Sequence, residues 1–282
     1  MLTTPISSPQ PAYVQVVTQE PTYVLSTGKE DELRLTILNE IYNAASLAAL
    51  KITPGLNVLT VGCGIGLLEV EIAKEVSPSG SVVGTDISRE QLQIAEQNAA
   101  SANLTNLEFR HVEALKLDLI PGLFDRIHCR FVLTHLTWET ILQILPMLDK
   151  KLAPGGFILL EELASMESLG CEPPHPGYDK WRELSRNQYV LQKTGSSNGS
   201  KIFQYLRAQG RQATCTSWQA LLITPREKSI LALGVLSARK RMIEEHVYTS
   251  AEIDEMVLEL RDLEQNPAIV ARNGEIIRIT VE

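Results

Sequence analysis

The run Asn57-Val58-Leu59-Thr60-Val61 leads directly into Gly62-Cys63-Gly64-Ile65-Gly66. About 20 residues on, a second apolar run, Val82-Val83-Gly84-Thr85, ends on Asp86. A short apolar run that breaks into glycines reads as a buried parallel strand, a tight turn and the start of a helix. Glycines there let backbone approach a ligand with no Cβ in the way, and the helix start offers free N–H groups. An acid at the end of the next strand can accept both hydroxyls of a ribose. Strand, turn and acid at this spacing point to a nucleotide-containing cofactor on a layered α/β fold.

The rest of the chain continues that alternation. Thr27 with Glu30 forms a capping-box pattern ahead of Leu33, Ile37, Ile41 and Ala45, an apolar stripe at helical spacing. A strand over 58–61, a helix over 66–76, a strand over 81–85 and a helix opening at Ser88 with Gln91 follow. Further strands are predicted over 106–111, 124–130 and 156–162, with a helix over 138–150 before the last. Strands separated by helices imply a parallel sheet. Beyond Leu163 the pattern changes: a proline-rich loop over 171–176, a helix over 178–192 carrying Tyr178, Trp181, Leu184 and Tyr189, and a polar hinge from Gly195 to Gly199. A helix over 200–209, a strand over 212–223, a helix over 226–246 and an amphipathic helix capped by Thr249 and Glu252 lead to a strand over 275–281. The expected architecture is α/β with seven strands, mostly parallel and the last antiparallel, plus a helical cap insertion. The expected division is an N-terminal arm over 1–22, mobile because its prolines show no hydrophobic periodicity, and a cofactor-binding core over 23–170. A cap over 171–199 and a segment over 200–282 that completes the core follow.

Composition narrows the function. Hydrophobic residues at 44% and charged residues at 21% are globular proportions, and 282 residues suffice for one core with appended helices. A formal net charge of −8 disfavours a nucleic-acid partner, whose affinity would come from phosphate neutralisation. The basic run Arg239-Lys240-Arg241 reads as a solvated helix face. Cys63, Cys129, Cys171 and Cys215 lack a C-x-x-C pair, so neither a zinc site nor a disulfide framework is expected. With no long apolar run and no signal pattern, the expectation is a cytoplasmic protein without a membrane partner; a homodimer stays open.

Four ordered matches carry a family resemblance over roughly residues 23–163. They are the glycine turn with Asp86, Val112-Glu113-Ala114, the stretch from Phe124 to Leu136, and Leu152-Ala153-Pro154-Gly155-Gly156 before a strand. The chain resembles the class I, Rossmann-like S-adenosylmethionine-dependent methyltransferases, in particular their small-molecule branch. The resemblance implies a cofactor site of Gly62, Cys63, Gly64, Gly66, Asp86 and Ile87 around the turn. Glu113 and Ala114 would lie at the adenine, Cys129 and Arg130 along the methionine portion, and Tyr23 and Arg34 toward its carboxylate. For Arg34 the bland alternative is an i,i+4 pair with Glu30; for Glu113, a solvated loop acid; for Arg130, a structural ion pair. His135 would be the catalytic residue, as base or anchor, or else a packed histidine. Tyr178, Trp181 and Tyr189 are the substrate-contact candidates, with docking of the helix on the core as the alternative for Trp181. Thr60 departs from the family, which usually carries an acid there, so no charge from that position meets the cofactor ammonium.

The fourth strand reads Ile127-His128-Cys129-Arg130-Phe131, not an Asn-Pro-Pro-Tyr type, and the chain has no Pro-Cys dipeptide. Nucleobase methylation thus lacks its usual chemistry, leaving direct in-line transfer to oxygen, nitrogen, carbon or sulfur of a small molecule. A non-catalytic cofactor-binding regulator and an NAD-dependent oxidoreductase are the competing readings, the latter poorly matched by Glu113-Ala114.

Overall fold

The computed structural model describes residues 28–191 and 198–282, with side chains at all of these except 188–191. Tyr23, the predicted arm and the side chain of Tyr189 lie outside that description. The sequence places helix α1 at Lys29–Leu50, then β1 (Asn57–Val61), α2 (Leu67–Val76), β2 (Ser81–Asp86), α3 (Arg89–Ser101) and β3 (Leu107–His111). After them come β4 (Phe124–Arg130), α4 (Trp138–Lys151) and β5 (Leu152–Ser165). A short strand β6 (Gly170–Glu172) precedes α5 (Pro176–Leu191), α6 (Asn198–Ala208), β7 (Ala213–Trp218) and β8 (Leu221–Leu222). The chain closes with α7 (Pro225–Glu244), α8 (Ser250–Gln265), β9 (Val270–Arg272) and β10 (Glu275–Val281).

Seven strands form one sheet in the order β3-β2-β1-β4-β5-β10-β7. β3 through β5 run parallel, and β10, the last strand of the chain, is antiparallel to both β5 and β7. Strand alternation assigns the two faces. Leu59, Val61, Ile127, Cys129, Ile158 and Leu160 pack with α4 and α6; Val58, Val82, Phe157 and Leu159 pack with α2 and the end of α1. By the same period of two, Thr60, His128, Arg130 and Glu161 belong to the α1–α2 face, and Glu162 to the other.

The sequence expectations for Gln91, for the start of β5 and for the stretch 212–223 are corrected here. Gly28 caps α1, with no side-chain bond to the helix, and Thr27 of the expected capping box lies outside the described residues. Ser88 accepts from Gln91 N as predicted, but the Gln91 amide donates to Asp31 Oδ2 (3.3 Å) instead of closing the box. β5 begins at Leu152, ahead of Pro154-Gly155-Gly156, and the strand expected over 212–223 divides into β7 and β8, the latter in a small sheet β6-β9-β8. The Thr249–Glu252 capping box is present in full. Each residue of the basic run is matched by an acid: Arg239 by Asp254, Lys240 by Glu244 and Arg241 by Glu245.

α7 and α8 pack with α5 and part of α1 into a second hydrophobic cluster that includes Ile37, Tyr178, Leu184, Ile230, Leu231 and Leu260. This helical layer stands against the end of β5, through Leu163 and Met166. No helix of the described residues is long and apolar enough to cross a membrane.

Candidate cofactor and substrate site

The C-terminal ends of β1, β2 and β4 converge on a cavity of about 580 Å³ walled on its other side by α1, α5 and α7. Open parallel sheets bind ligands at this edge. The turn after β1 is built by glycine: Gly62, Gly64 and Gly66 all have positive φ, at 73°, 57° and 72°. Gly62 also passes so close to the loop after β4 that a Cβ would sit 2.1 Å from Val132 Cγ2. Gly62, Cys63, Gly64 and Ile65 line the cavity, whereas Gly66 does not; it faces Phe109 and Ala95, where a Cβ would lie 2.5 and 2.7 Å away. Its role is thus helix–strand packing. Burial pushes the Cys63 thiol well above its ordinary range, helped by Glu69 and Asp86, which leaves it neutral.

Asp86 is 8% exposed, with Oδ2 accepting from Gly64 N (2.8 Å) and Oδ1 from Ser88 N (2.9 Å). These bonds fix its carboxylate and leave roughly two of its four acceptor positions for the hydroxyls of a ribose. Burial raises its pKa, opposed by the N–H bonds from Ser88 and Gly64. Ile87, Val112, Glu113, Ala114 and Leu115 continue the wall. Glu113 is paired with Lys116 (2.8 Å), its side chain 27% exposed, so it meets both the cavity and solvent.

Two guanidiniums line the cavity, Arg34 from α1 and Arg130 from the end of β4. Arg34 bonds Asp31 Oδ1 through Nε (2.9 Å) and Nη2 (2.7 Å), so the ion pair it makes is with Asp31 and not the Glu30 of the bland alternative. Arg130 reaches α1, donating to Ser46 Oγ (2.8 Å), Asn39 Oδ1 (3.0 Å) and Asn43 Oδ1 (3.0 Å). Among the described residues no carboxylate is ion-paired with it. Both arginines line the cavity. Cys129 does not, since strand alternation turns it into the α4–α6 core.

Glu161 and Glu162 leave β5 on opposite faces and neither lines the cavity; each supports it. Glu161 accepts from Ser46, His128 and Arg278, at 2.5, 2.9 and 2.6 Å. Burial alone would raise it, but the His128 bond, the Arg130 charge and the Ser46 hydroxyl hold it down at about 2. Burial lowers His128, which we assign as neutral, with Nε2–H donating. Glu162 accepts from the N–H groups of Val132, Leu133 and Thr134 at 3.2, 2.9 and 3.0 Å. It therefore fixes the loop that carries His135. Phe131 starts this loop with φ of 57°, a strained value for an aromatic residue, and lines the cavity with its ring 5.2 Å from Tyr42.

His135 lines the cavity, with its pKa lowered to about 4 by burial and by Arg34. Of the predicted substrate contacts, Trp181 lines the cavity, and the structure adds Leu184 and Ser185. Tyr178 does not: its hydroxyl donates to Arg272 O (2.5 Å) and accepts from Gly170 N (3.0 Å), tying α5 to the small sheet. Sequence reasoning also missed Leu35, Leu38, Leu163, Met166, Ile230 and Glu69 in the wall. Glu69 carried a readable signal, because Glu69, Ile72, Ala73 and Val76 share one buried helical stripe and an acid is out of place there.

Residues 58–156 match the family described as "Methyltransferase domain". Demethylmenaquinone methyltransferase of Listeria monocytogenes is 29% identical over 171 residues, 59% of this chain and 67% of that protein. A ubiquinone/menaquinone biosynthesis C-methyltransferase of Bordetella avium is 27% identical over 169 residues, 60% of this chain and 62% of that one. Among solved structures, mycolic acid cyclopropane synthase CmaA1, complexed with SAH and CTAB, superposes with a TM-score of 0.57 at 14% identity, over 93% of this chain and 90% of that one. Phosphoethanolamine N-methyltransferase 2 of Haemonchus contortus, solved with S-adenosylhomocysteine, gives 0.55 at 17% identity over 91% and 58%. Fold, family match and relatives agree on a methyltransferase: residues 58–156 are its methyltransferase domain, on a class I, Rossmann-like fold. The family implies S-adenosylmethionine as the methyl donor. The residues present fit that group, because Asp86 retains acceptor positions and the buried Thr60 Oγ1 and Glu69 Oε2 beside the turn have no hydrogen-bond partner.

Proposed function

We propose that the chain transfers a methyl group to a small, largely apolar acceptor by direct in-line displacement. The observation that carries this is the apolar part of the cavity lining: Leu35, Leu38, Phe131, Leu163, Met166, Trp181, Leu184 and Ile230 line the same cavity as the glycine turn. Such a wall rewards an acceptor with an apolar body and gives a polar polymer few partners. The names of the relatives, which act on demethylmenaquinone or in ubiquinone/menaquinone biosynthesis, support an acceptor of that class.

When bound, S-adenosylmethionine supplies a methyl group already activated on a sulfonium. The protein's task is then position and desolvation. Asp86 would orient the donor by its hydroxyls, Glu113 and Ala114 would border the adenine, and Arg34 and Arg130 would face the carboxylate. Trp181 and Phe131 would hold the acceptor in a water-poor pocket. His135 is neutral throughout the physiological range, so it serves as a hydrogen-bonding anchor and only weakly as a base.

The test is transfer of an isotopically labelled methyl group to acceptors graded from quinols and phenols to nucleosides and peptides, with product mass identifying the methylated atom. Turnover is expected with the apolar set. Trp181→Ala should raise the acceptor KM by about 10- to 100-fold, the burial of one aromatic, and leave cofactor affinity unchanged. Preferential methylation of nucleosides or peptides would refute the reading.

A further inference from the structure

Glu69, third residue of α2, is 2% exposed and lines the cavity, and its Oε2 has no hydrogen-bond partner. A buried carboxylate oxygen left unpartnered is costly unless something binds it. Its surroundings sharpen the point. The adjacent Thr60 hydroxyl is likewise buried and without a bond of good geometry. Arg130 acts on Glu69 only through its field; three of its N–H groups donate to Ser46, Asn39 and Asn43 and none bonds Glu69. The free protein therefore holds in the cofactor cavity a buried carboxyl group with no cation bonded to it.

We propose that Glu69 receives the ammonium group of the donor's methionine portion, supplying from α2 the charge that Thr60 on β1 does not. The inference rests on the cofactor assignment and is independent of the acceptor. S-adenosylmethionine carries two cationic centres, its ammonium and its sulfonium, and a buried carboxylate gains most from a cation that also donates hydrogen bonds. The ammonium does both. The ribose already has Asp86, and the acceptor's apolar wall lies on the other helices.

The charged and titratable groups facing Glu69 are Asp86 from β2, Arg130 from β4 and the neutral Cys63 thiol of the turn. Burial raises Glu69 to about 7, opposed by its own backbone N–H, the Thr60 hydroxyl and the Arg130 charge, while Asp86 adds to the rise. An arriving ammonium favours the ionised form, so below neutrality binding expels a proton. The ligand's own α-amino group titrates near 8, outside that window.

Titration calorimetry near pH 6 and pH 7, in two buffers of different ionisation enthalpy, tests the assignment on wild type and Glu69→Gln. The ligands are S-adenosylmethionine, S-adenosylhomocysteine, which lacks the sulfonium, and 5′-methylthioadenosine, which lacks the whole amino-acid portion. Glu69→Gln is expected to weaken the first two by about 10- to 100-fold, abolish their proton release and bind methylthioadenosine as wild type does, which also shows the variant folded. Unchanged affinity for the first two overturns the proposal. So does a loss shared by methylthioadenosine, which makes Glu69 structural, or a loss confined to S-adenosylmethionine, which assigns it to the sulfonium. Wild type that binds none of the three overturns the cofactor assignment itself.

Discussion

Replacing Glu161 by Gln keeps the shape of the side chain and removes the charge on which four hydrogen bonds from three neighbours converge. Arg278 places two N–H bonds on Oε1, at 2.8 and 2.6 Å, while Ser46 and His128 share Oε2. Two routes give the size of the effect. A carboxyl held from its usual 4.5 down to about 2 contributes about 3 kcal/mol at neutral pH. Breaking one partner of a buried ion pair costs about 3–5 kcal/mol. Urea denaturation of Glu161→Gln at pH 7 should therefore show a loss of about 3 kcal/mol. An acid whose pKa is lower folded than unfolded stabilises above its unfolded value and loses that contribution as pH falls toward the folded one. The gap between wild type and variant should thus shrink below about pH 4.5, to less than about half near pH 3. A gap under about 1 kcal/mol at pH 7, or one that widens on acidification, would refute the account. The same variant removes support from Ser46, which holds Arg130 at the cavity, so weaker S-adenosylmethionine binding should accompany the lost stability.

Asp86→Asn should weaken S-adenosylmethionine binding by about 1–3 kcal/mol by calorimetry, because a charged acceptor for two hydroxyls becomes a neutral one while an amide oxygen still holds part of the turn; unchanged affinity in the folded variant would remove Asp86 from the site. His135→Gln should lower single-turnover transfer by about 10-fold with cofactor affinity intact, as expected for loss of one hydrogen bond. A loss beyond about 100-fold, with a titration missing from the rate profile, would make His135 the base after all.

The sequence announces the first half of the site and conceals the second for a physical reason. Glycine, the helix start and Asp86 are constrained by local backbone geometry, so the spacing from Gly62 to Asp86 carries the cofactor side almost unaided. Period-two alternation also separates Arg130 and His128, which line the cavity, from Cys129, which packs in the core; the strand pattern already contained that correction. The acceptor side is set by tertiary packing. Ile230 and Gly234 sit on a helix whose apolar residues look like ordinary core, and only the docking of α7 on α1 brings them to the cavity. Tyr178 and Trp181 share α5 and seem equivalent in sequence, yet Tyr178 lies in the first turn beside the small β6-β9-β8 sheet, an element assembled from short, distant segments. Glu69 and Glu71 differ least in sequence and most in consequence. Two residues apart on α2, one falls on the buried stripe beside the glycine turn, while the other bonds Asn43 at 3.0 Å. A helical rotation of about 200° between them decides which carboxylate meets the cofactor. An acid sought at the end of β1 is therefore missed when the fold supplies it from the neighbouring helix, and the search is better made by face than by motif position.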